Sequence, residues 1–360
     1  MDSAAQQLLA IVRHTLWHDT PALATEDTDW NALFALADRQ HIGALAANGI
    51  GDMTPPPEAR LKAKGYRLLS ENLYRQHEHS IADIAAALRR EGIGMMLLKG
   101  IGLSLLWPVP NHRAVGDIDI FTFRINDKGL VCCQSEADDI ISKSFGIVAD
   151  NSHEHHSILQ INGIVVENHY DFINAVDLRS SRDIERYLKQ LASHDMKTAT
   201  ICGERIFLPP PVFNAVYLIR HIGRHFSGSR INLRQVLDWA FFVRAFHNDI
   251  DWNSTAGYWQ KIGLLPFAQC INSICIAHLG FPPDIFHGIV STDRHLTERI
   301  VDDIMQPEFT TTPPDGHIAS AFFRLRRFLA NGWKRQITYK ESSPRAFFSL
   351  AISHLRRGDI

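Results

Sequence analysis

The sequence predicts an α+β protein in which a small mixed sheet lies between helical N-terminal and C-terminal regions. Three observations carry this. Apolar residues recur at helical spacing through residues 1–92. Short strand-like runs replace that pattern from residue 93, beginning with Met95-Met96-Leu97-Leu98. Helical spacing then resumes after Pro209-Pro210-Pro211. The expected parts are a helical region over 1–92, a sheet-bearing core over 93–208 and a helical domain over 209–360.

Taken in order, Leu8, Leu9, Ile11, Val12 and Leu16 form one helical face, and Trp30, Leu33, Phe34 and Leu36 another after the N-cap candidates Thr28-Asp29. Pro55-Pro56-Pro57 interrupts the chain, and a long helix from Glu58 carries Leu68, Leu69, Leu73, Ile81, Ile84 and Leu88 to a stop at Gly92. The wholly apolar Met95–Leu98 run suits a strand buried on both faces. Lys99-Gly100 ends it, and Ile101 to Trp107 can form a short helix. Asp117 to Phe123 alternates polar and apolar, as a strand does. Residues 127–143 are expected to be helical. His156 to Ile161 and Ile164 to Phe172 flank Asn162-Gly163, the pair favoured in a type I′ hairpin turn. A second pair is expected around Gly203, giving a sheet of about five strands. Further helices are expected over 212–226, 232–247, 264–279, 293–305, 318–331 and 344–356.

Composition narrows the function classes. The chain has 360 residues, 45% hydrophobic and 21% charged, with a formal charge of −2. These are ordinary values for a globular protein, and they argue against adhesion of the whole surface to nucleic acid. Five cysteines, an odd number with no C-x-x-C pair, indicate neither a disulfide framework nor a thiolate zinc site. Met1 to Gln7 lacks the basic start of a secretory signal, and no run approaches the ~18 apolar residues of a spanning helix. A reduced, cytoplasmic setting is expected.

The chemistry centres on Asp117 and Asp119. Two residues apart on a strand, they project from one face with Cα atoms roughly 7 Å apart. Such a pair can hold two magnesium ions ~3.5–4 Å apart for in-line phosphoryl or nucleotidyl displacement. A surface strand edge carrying two acids has the same spelling. Upstream, Gly100 lets a backbone approach phosphate at a helix start, and Lys99 adds a charge within reach of a triphosphate, unless it is an ordinary surface lysine. Arg113 is placed either at a leaving pyrophosphate or in a structural ion pair. Glu167, His169 and Asp171 share one face of the second hairpin strand. If that strand lies beside Asp117, Glu167 completes a carboxylate triad that binds metal or takes the acceptor proton.

Leu97-Leu98-Lys99-Gly100, then Arg113 with Gly116-Asp117-Ile118-Asp119-Ile120, then Val166-Glu167-Asn168-His169 resembles the nucleotidyltransferase superfamily typified by DNA polymerase β. Within it the chain is most similar to the bacterial uncharacterised nucleotidyltransferases. Their later helix with two histidines before an R-x-x-x-D pair is matched by His221 and His225, then Arg234 and Asp238. The resemblance spans about residues 93–245. It implies a polymerase β-like palm, an NTP such as ATP as donor, and two Mg2+ ions, or Mn2+, on Asp117, Asp119 and Glu167. Lys99, Gly100, Arg113 and Gly116 are implied at the nucleotide, and His169, His221, His225, Arg234 and Asp238 as support of the cleft. The chain departs from the superfamily at Gly100-Ile101, where Gly-Ser or Gly-Gly is usual; Ser104, one turn on, is the substitute candidate for contact with phosphate.

The acceptor stays open among a small molecule, a tRNA end and a protein side chain. A non-catalytic nucleotide-binding or scaffold protein on a degenerate palm is the alternative. His221 and His225 share a helix face without a visible third zinc ligand, and Arg234 with Asp238 also reads as a helix ion pair worth ~0.2–0.5 kcal/mol. The His153–His156 cluster is expected as a solvated strand entry from which His155 or His156 can touch substrate. Beyond residue 320, Arg324, Arg326, Arg327, Lys334, Arg335, Lys340, Arg345, Arg356 and Arg357 oppose only Glu341 and Asp359, with Phe322, Phe323, Phe328 and Trp333 among them. Such a region suits an anionic partner, or else packs its aromatics and solvates its arginines.

Overall fold

The computed structural model describes residues 2–18, 28–51, 53, 55–127, 129–153, 155–174, 179–309 and 313–340. The chain divides into two compact units, Met1–Ala63 with Leu218–Ile360, and Lys64–Tyr217. The boundaries fall inside two helices and not where the strand-like pattern starts and ends, because packing assigns a residue to a core and the type of its element does not.

In chain order the elements are α1 (Ser3–Trp17), α2 (Trp30–Arg39), α3 (Gly43–Ile50), α4 (Pro57–Arg90), β1 (Gly94–Leu97), α5 (Ile101–Ser104), β2 (Ile118–Asn126), β3 (Gly129–Cys132), α6 (Gln134–Phe145), β4 (His156–Ile161), β5 (Ile164–His169), α7 (Arg179–Ala192), β6 (Lys197–Ile201) and β7 (Glu204–Leu208). There follow α8 (Pro211–Gly228), α9 (Leu233–Phe246), α10 (Trp252–Ile262), α11 (Leu265–Ala277), α12 (Arg294–Met305), α13 (His317–Ala330) and α14 (Gly332–Thr338). The α+β class is as the sequence predicts.

Within Lys64–Tyr217 the strands form one mixed sheet in the order β4-β5-β2-β1-β7-β6, with β3 paired to the far end of β2. β2 pairs antiparallel with β1 and parallel with β5, while β4–β5 and β6–β7 are antiparallel hairpins. Asn162 and Gly163 both take positive φ, 53° and 81°, as a type I′ turn requires. One face is apolar: Ile118, Ile120, Leu159, Ile161 and Val166 pack with Ile81, Ile84 and Leu88 of α4 and with Ala137 and Ile141 of α6. Leu68, Leu69 and Leu73 of the α4 pattern are instead exposed.

The sheet has seven strands, where about five were expected, and the helix expected over 127–143 is a short strand, β3, followed by α6. A four-residue edge strand ahead of a helix leaves too little alternation to register. Helices α3, α7, α10 and α14 were also not anticipated, and the helix expected over 344–356 lies outside the described residues.

The other unit joins the N-terminal helices to the C-terminal ones. Gln40 donates to the Ile304 carbonyl (2.7 Å) and accepts from the Leu233 amide (2.9 Å), and Trp17 donates to the Leu279 carbonyl (2.7 Å). Its core centres on Trp239, Trp259, Phe241 and Phe267. Among the described residues no helix is long and apolar enough to cross a membrane.

Candidate active site

Alternation on β2 decides which residues can react. Ile118 and Ile120 turn to the apolar core, which sends Asp119 and Phe121 to the opposite face. The parallel register places Asp119 opposite Glu167 and Phe121 opposite His169. Two carboxylates from segments almost fifty residues apart therefore meet on one face, with Asp117 exposed just ahead of β2. Beneath them Phe121, Phe172, Phe213 and Tyr217 form a continuous aromatic run.

Lys99 reaches this face from the end of β1, its Nζ 2.7 Å from Asp119 Oδ1. The turn there depends on Gly100, whose φ of 60° and ψ of −123° suit no side-chain-bearing residue. His77 of α4 lies between the carbonyls of Leu73 (2.7 Å) and Gly116 (2.6 Å), so an imidazole N–H can steady the loop that delivers Asp117. His169 Nε2 stands 3.1 Å from Asp119 Oδ1 and 3.4 Å from Glu167 Oε2, donating between the two acids.

The charges interact strongly. Repulsion from Asp119, with some loss of surrounding water, raises the Asp117 carboxyl above its ordinary value. Burial opposes ionisation of Asp119, but Lys99 and His169 outweigh it and hold this carboxyl far below the usual range. Burial likewise works against the Lys99 ammonium, but Asp119, with Tyr217 and Asp117 beside it, more than compensates, so Lys99 stays charged. Burial works against ionisation of Glu167, but the hydrogen bond from His169 and the nearby positive charge together outweigh it and depress this carboxyl. Burial pushes the nearby Tyr217 phenol up.

Two groups of the described residues could hold a cation: Asp119, Glu167 and His169, and His155, His156 and His169. The second corrects the expectation of a solvated strand entry. His156 pairs across the hairpin with His169, so parity turns it onto the carboxylate face, where it is 7% exposed. Burial pushes its pKa down to about 4 and keeps it neutral. Nδ1 of His156 and Nδ1 of His169 are buried without a hydrogen-bond partner, which costs about 1–3 kcal/mol each unless something fills the gap.

Ser104 is a second correction. The residue is fully buried, its hydroxyl donates to the Ile101 carbonyl (2.7 Å) and it shares a hydrogen bond with Tyr74 Oη (2.8 Å), so it holds α5 on α4 and does not face phosphate. Arg113 is also buried and donates to the Ala114 carbonyl (3.1 Å) within its own loop. Tyr217 and His77 carry no motif that would single them out; His156 was already a candidate to touch substrate, and its parity with His169 was also available in advance.

His221, His225, Arg234 and Asp238 belong to the other unit. The two imidazoles of α8 meet edge to face with centroids 4.5 Å apart. One turn separates Arg234 from a buried Asp238 on α9. In the basic region, Lys334 and Arg335 are buried: Lys334 pairs with Asp303 (2.7 Å) and Arg335 lies over Phe328 (3.8 Å). These two cations are part of the packing and not of a solvated basic face.

The family model described as uncharacterised nucleotidyltransferase matches residues 26–280. Among solved structures, an antigenic nucleotidyltransferase-like protein from Paracoccidioides brasiliensis is similar over 59% of this chain and 97% of its own, at 16% identity and a TM-score of 0.34. No curated protein matches the chain.

Proposed function

Because the chain belongs to the uncharacterised nucleotidyltransferase family, we propose that it transfers a nucleoside monophosphate from an NTP to an acceptor hydroxyl, with release of pyrophosphate, at Asp117, Asp119 and Glu167. The observation that carries this is the register that sets Asp119 against Glu167, with Asp117 and Lys99 at the same point. An oxygen-rich donor set suits Mg2+ or Mn2+, and the mutual repulsion of Asp117 and Asp119 is the strain such a cation relieves.

When bound, the metal supplies charge neutralisation at the α-phosphorus and lowers the pKa of the acceptor hydroxyl. Asp117 and Asp119 hold it. Lys99, fixed as an ammonium by Asp119, faces the polyphosphate, and the Gly100 turn leaves room for phosphate against the backbone. Glu167, kept ionised by His169, accepts the acceptor's proton. The acceptor oxygen bonds to the α-phosphorus as the α–β bridging bond breaks, and the electron pair leaves with pyrophosphate. His169 orients both acids.

A binding-only role draws support from one observation: with Ser104 buried, no hydroxyl of α5 faces the phosphate turn. The test is incubation with α-labelled NTPs, magnesium and cell extract. Label appearing on a macromolecule or metabolite with the native protein, and absent with Asp117→Asn, supports transfer. Nucleotide binding without label in any fraction overturns transfer in favour of the binding role.

A further inference from the structure

Beyond the magnesium-dependent reaction, the carboxylate face carries a group of side chains of different chemistry. His155, His156 and His169 each offer a ring nitrogen, and the three nitrogens lie within 4.8 Å of one another. His155 and His156 meet edge to face at 4.4 Å between centroids, and His156 and His169 lie 5.1 Å apart. His156 is 7% and His169 3% exposed, and both keep a buried Nδ1 without any partner. His169 has already committed Nε2 to Asp119 and Glu167, so Nδ1 is the nitrogen it has left.

We propose that His155, His156 and His169 form a site for a zinc-class transition cation, separate from the magnesium carboxylates and sharing one wall with them. Imidazole nitrogen favours zinc, cobalt, nickel or copper over magnesium, whereas the acids beside it favour magnesium. Three histidines leave a fourth tetrahedral position for water or substrate, the open form of a zinc site. His169 meets the condition of a metal-ligating histidine: its Nε2–H is held by a carboxylate, Asp119 at 3.1 Å, which leaves Nδ1 as the nitrogen for an ion. Ligation at ~2.0–2.1 Å draws the nitrogens to about 3.4 Å of each other, a movement that rotation of the half-buried His155 can supply.

Hairpin geometry explains why these residues meet. His156 and His169 are direct cross-strand partners, and the Tyr170 amide donates to the His155 carbonyl (3.1 Å), which fixes the entry to β4 beside the exit of β5. The site is therefore set by the hairpin register.

The test uses the full chain without a histidine tag, stripped with chelator and titrated with Co2+ in the absence of nucleotide. The expected result is one Co2+ per chain with the visible bands of four-coordinate cobalt, displaced by equimolar Zn2+ but not by a large excess of Mg2+. His155→Ala and His156→Gln should each weaken Zn2+ binding by at least ~100-fold, and Asp119→Asn by about 10–100-fold as an outer partner. Asp117→Asn should bind as the native chain does. Circular dichroism checks that each variant is folded; His155, being only half-buried, keeps the test open if the His156 variant is not. Absence of saturable Co2+ or Zn2+ binding by the native chain overturns the site. So does binding that survives both histidine changes and vanishes with Glu167→Gln, which would place the ion on the acids. Metal binding is read without nucleotide and label transfer without added zinc, so either reading can fail while the other stands.

Discussion

The two faces of β2 and β5 both bury polar side chains, yet they treat them in opposite ways. On the helix-covered face, Thr122 donates to Asn168 Oδ1 (3.1 Å), and Asn168 Nδ2 donates to Asp138 Oδ1 (2.8 Å) and the Gln134 carbonyl (3.3 Å). Gln134 in turn donates to Asp138 Oδ2 (2.5 Å), so the network closes on itself. The opposite face, one residue out of step, holds acids that repel each other, an ammonium pressed against one of them and two imidazole nitrogens with nothing to bond. A closed network specifies a core, whereas an open one keeps bonding capacity for something that arrives later. The difference lies in the completeness of pairing; both faces are buried and polar.

The strongest way to break this comparison is Asp119→Asn. Loss of a carboxylate proposed to hold the metal should lower label transfer by at least ~1000-fold, since several kcal/mol of charge stabilisation go with it. The same change strands the Lys99 ammonium, so the melt should also show a loss of about 3–5 kcal/mol. Adding Lys99→Met should recover most of that stability without recovering transfer. If the single variant melts like the native chain, the Lys99–Asp119 pair does not carry the charge balance of this face.

Asp117→Asn separates the two effects. Transfer should fall as far, but stability should hold or rise slightly, because the Asp117 carboxyl is already raised by its neighbour and its removal relieves that repulsion. Variants of the closed face should behave inversely. Asn168→Leu removes the Asn168 donor to Asp138 and the Asn168 acceptor of Thr122 and should cost about 3 kcal/mol in denaturant unfolding, with transfer at low temperature within about threefold of native. Transfer abolished by Asn168→Leu in a folded chain would mean that the two faces are not independent.

Much of this arrangement was legible beforehand because strand parity is a strict rule. Asp117-Ile118-Asp119-Ile120 and Val165-Val166-Glu167-Asn168-His169 state which side chains share a face, and Asn162-Gly163 pins the hairpin register. Only the neighbour relation of β2 and β5 needed the structure. The same rule applied to His156 would have moved it from solvent to the carboxylate face; a run of polar residues at a strand entry gave no reason to apply it. Ser104 was misplaced for another reason. A four-residue helix has no periodicity to say which side is buried, and Tyr74, thirty residues away, decides it. β3 and α3 escaped because each is too short for its pattern to exceed chance.

The smallest expected effect sharpens the comparison, because it concerns a buried acid whose bonds are filled but whose charge is not fully balanced. Glu185 of α7 is 5% exposed and accepts from the Phe172 (3.1 Å) and Ile173 (2.9 Å) amides, with Lys189 Nζ at 3.4 Å. Burial pushes its pKa up to about 7 from 4.5, the backbone bonds opposing this only in part. Between those values the folded chain holds a proton that the unfolded chain has released. The unfolded state therefore binds fewer protons, and stability falls as pH rises through the window. The contribution is complete below pH 4.5 and lost above about 7. Glu185→Gln should flatten this slope, so that native and variant melting temperatures, compared at about pH 5 and about pH 8, diverge by about 2–4 °C in favour of the variant at the higher pH. Parallel curves for the two proteins would show that Glu185 is ionised throughout, with Lys189 balancing it, and would place it with the fully paired groups of the helix-covered face.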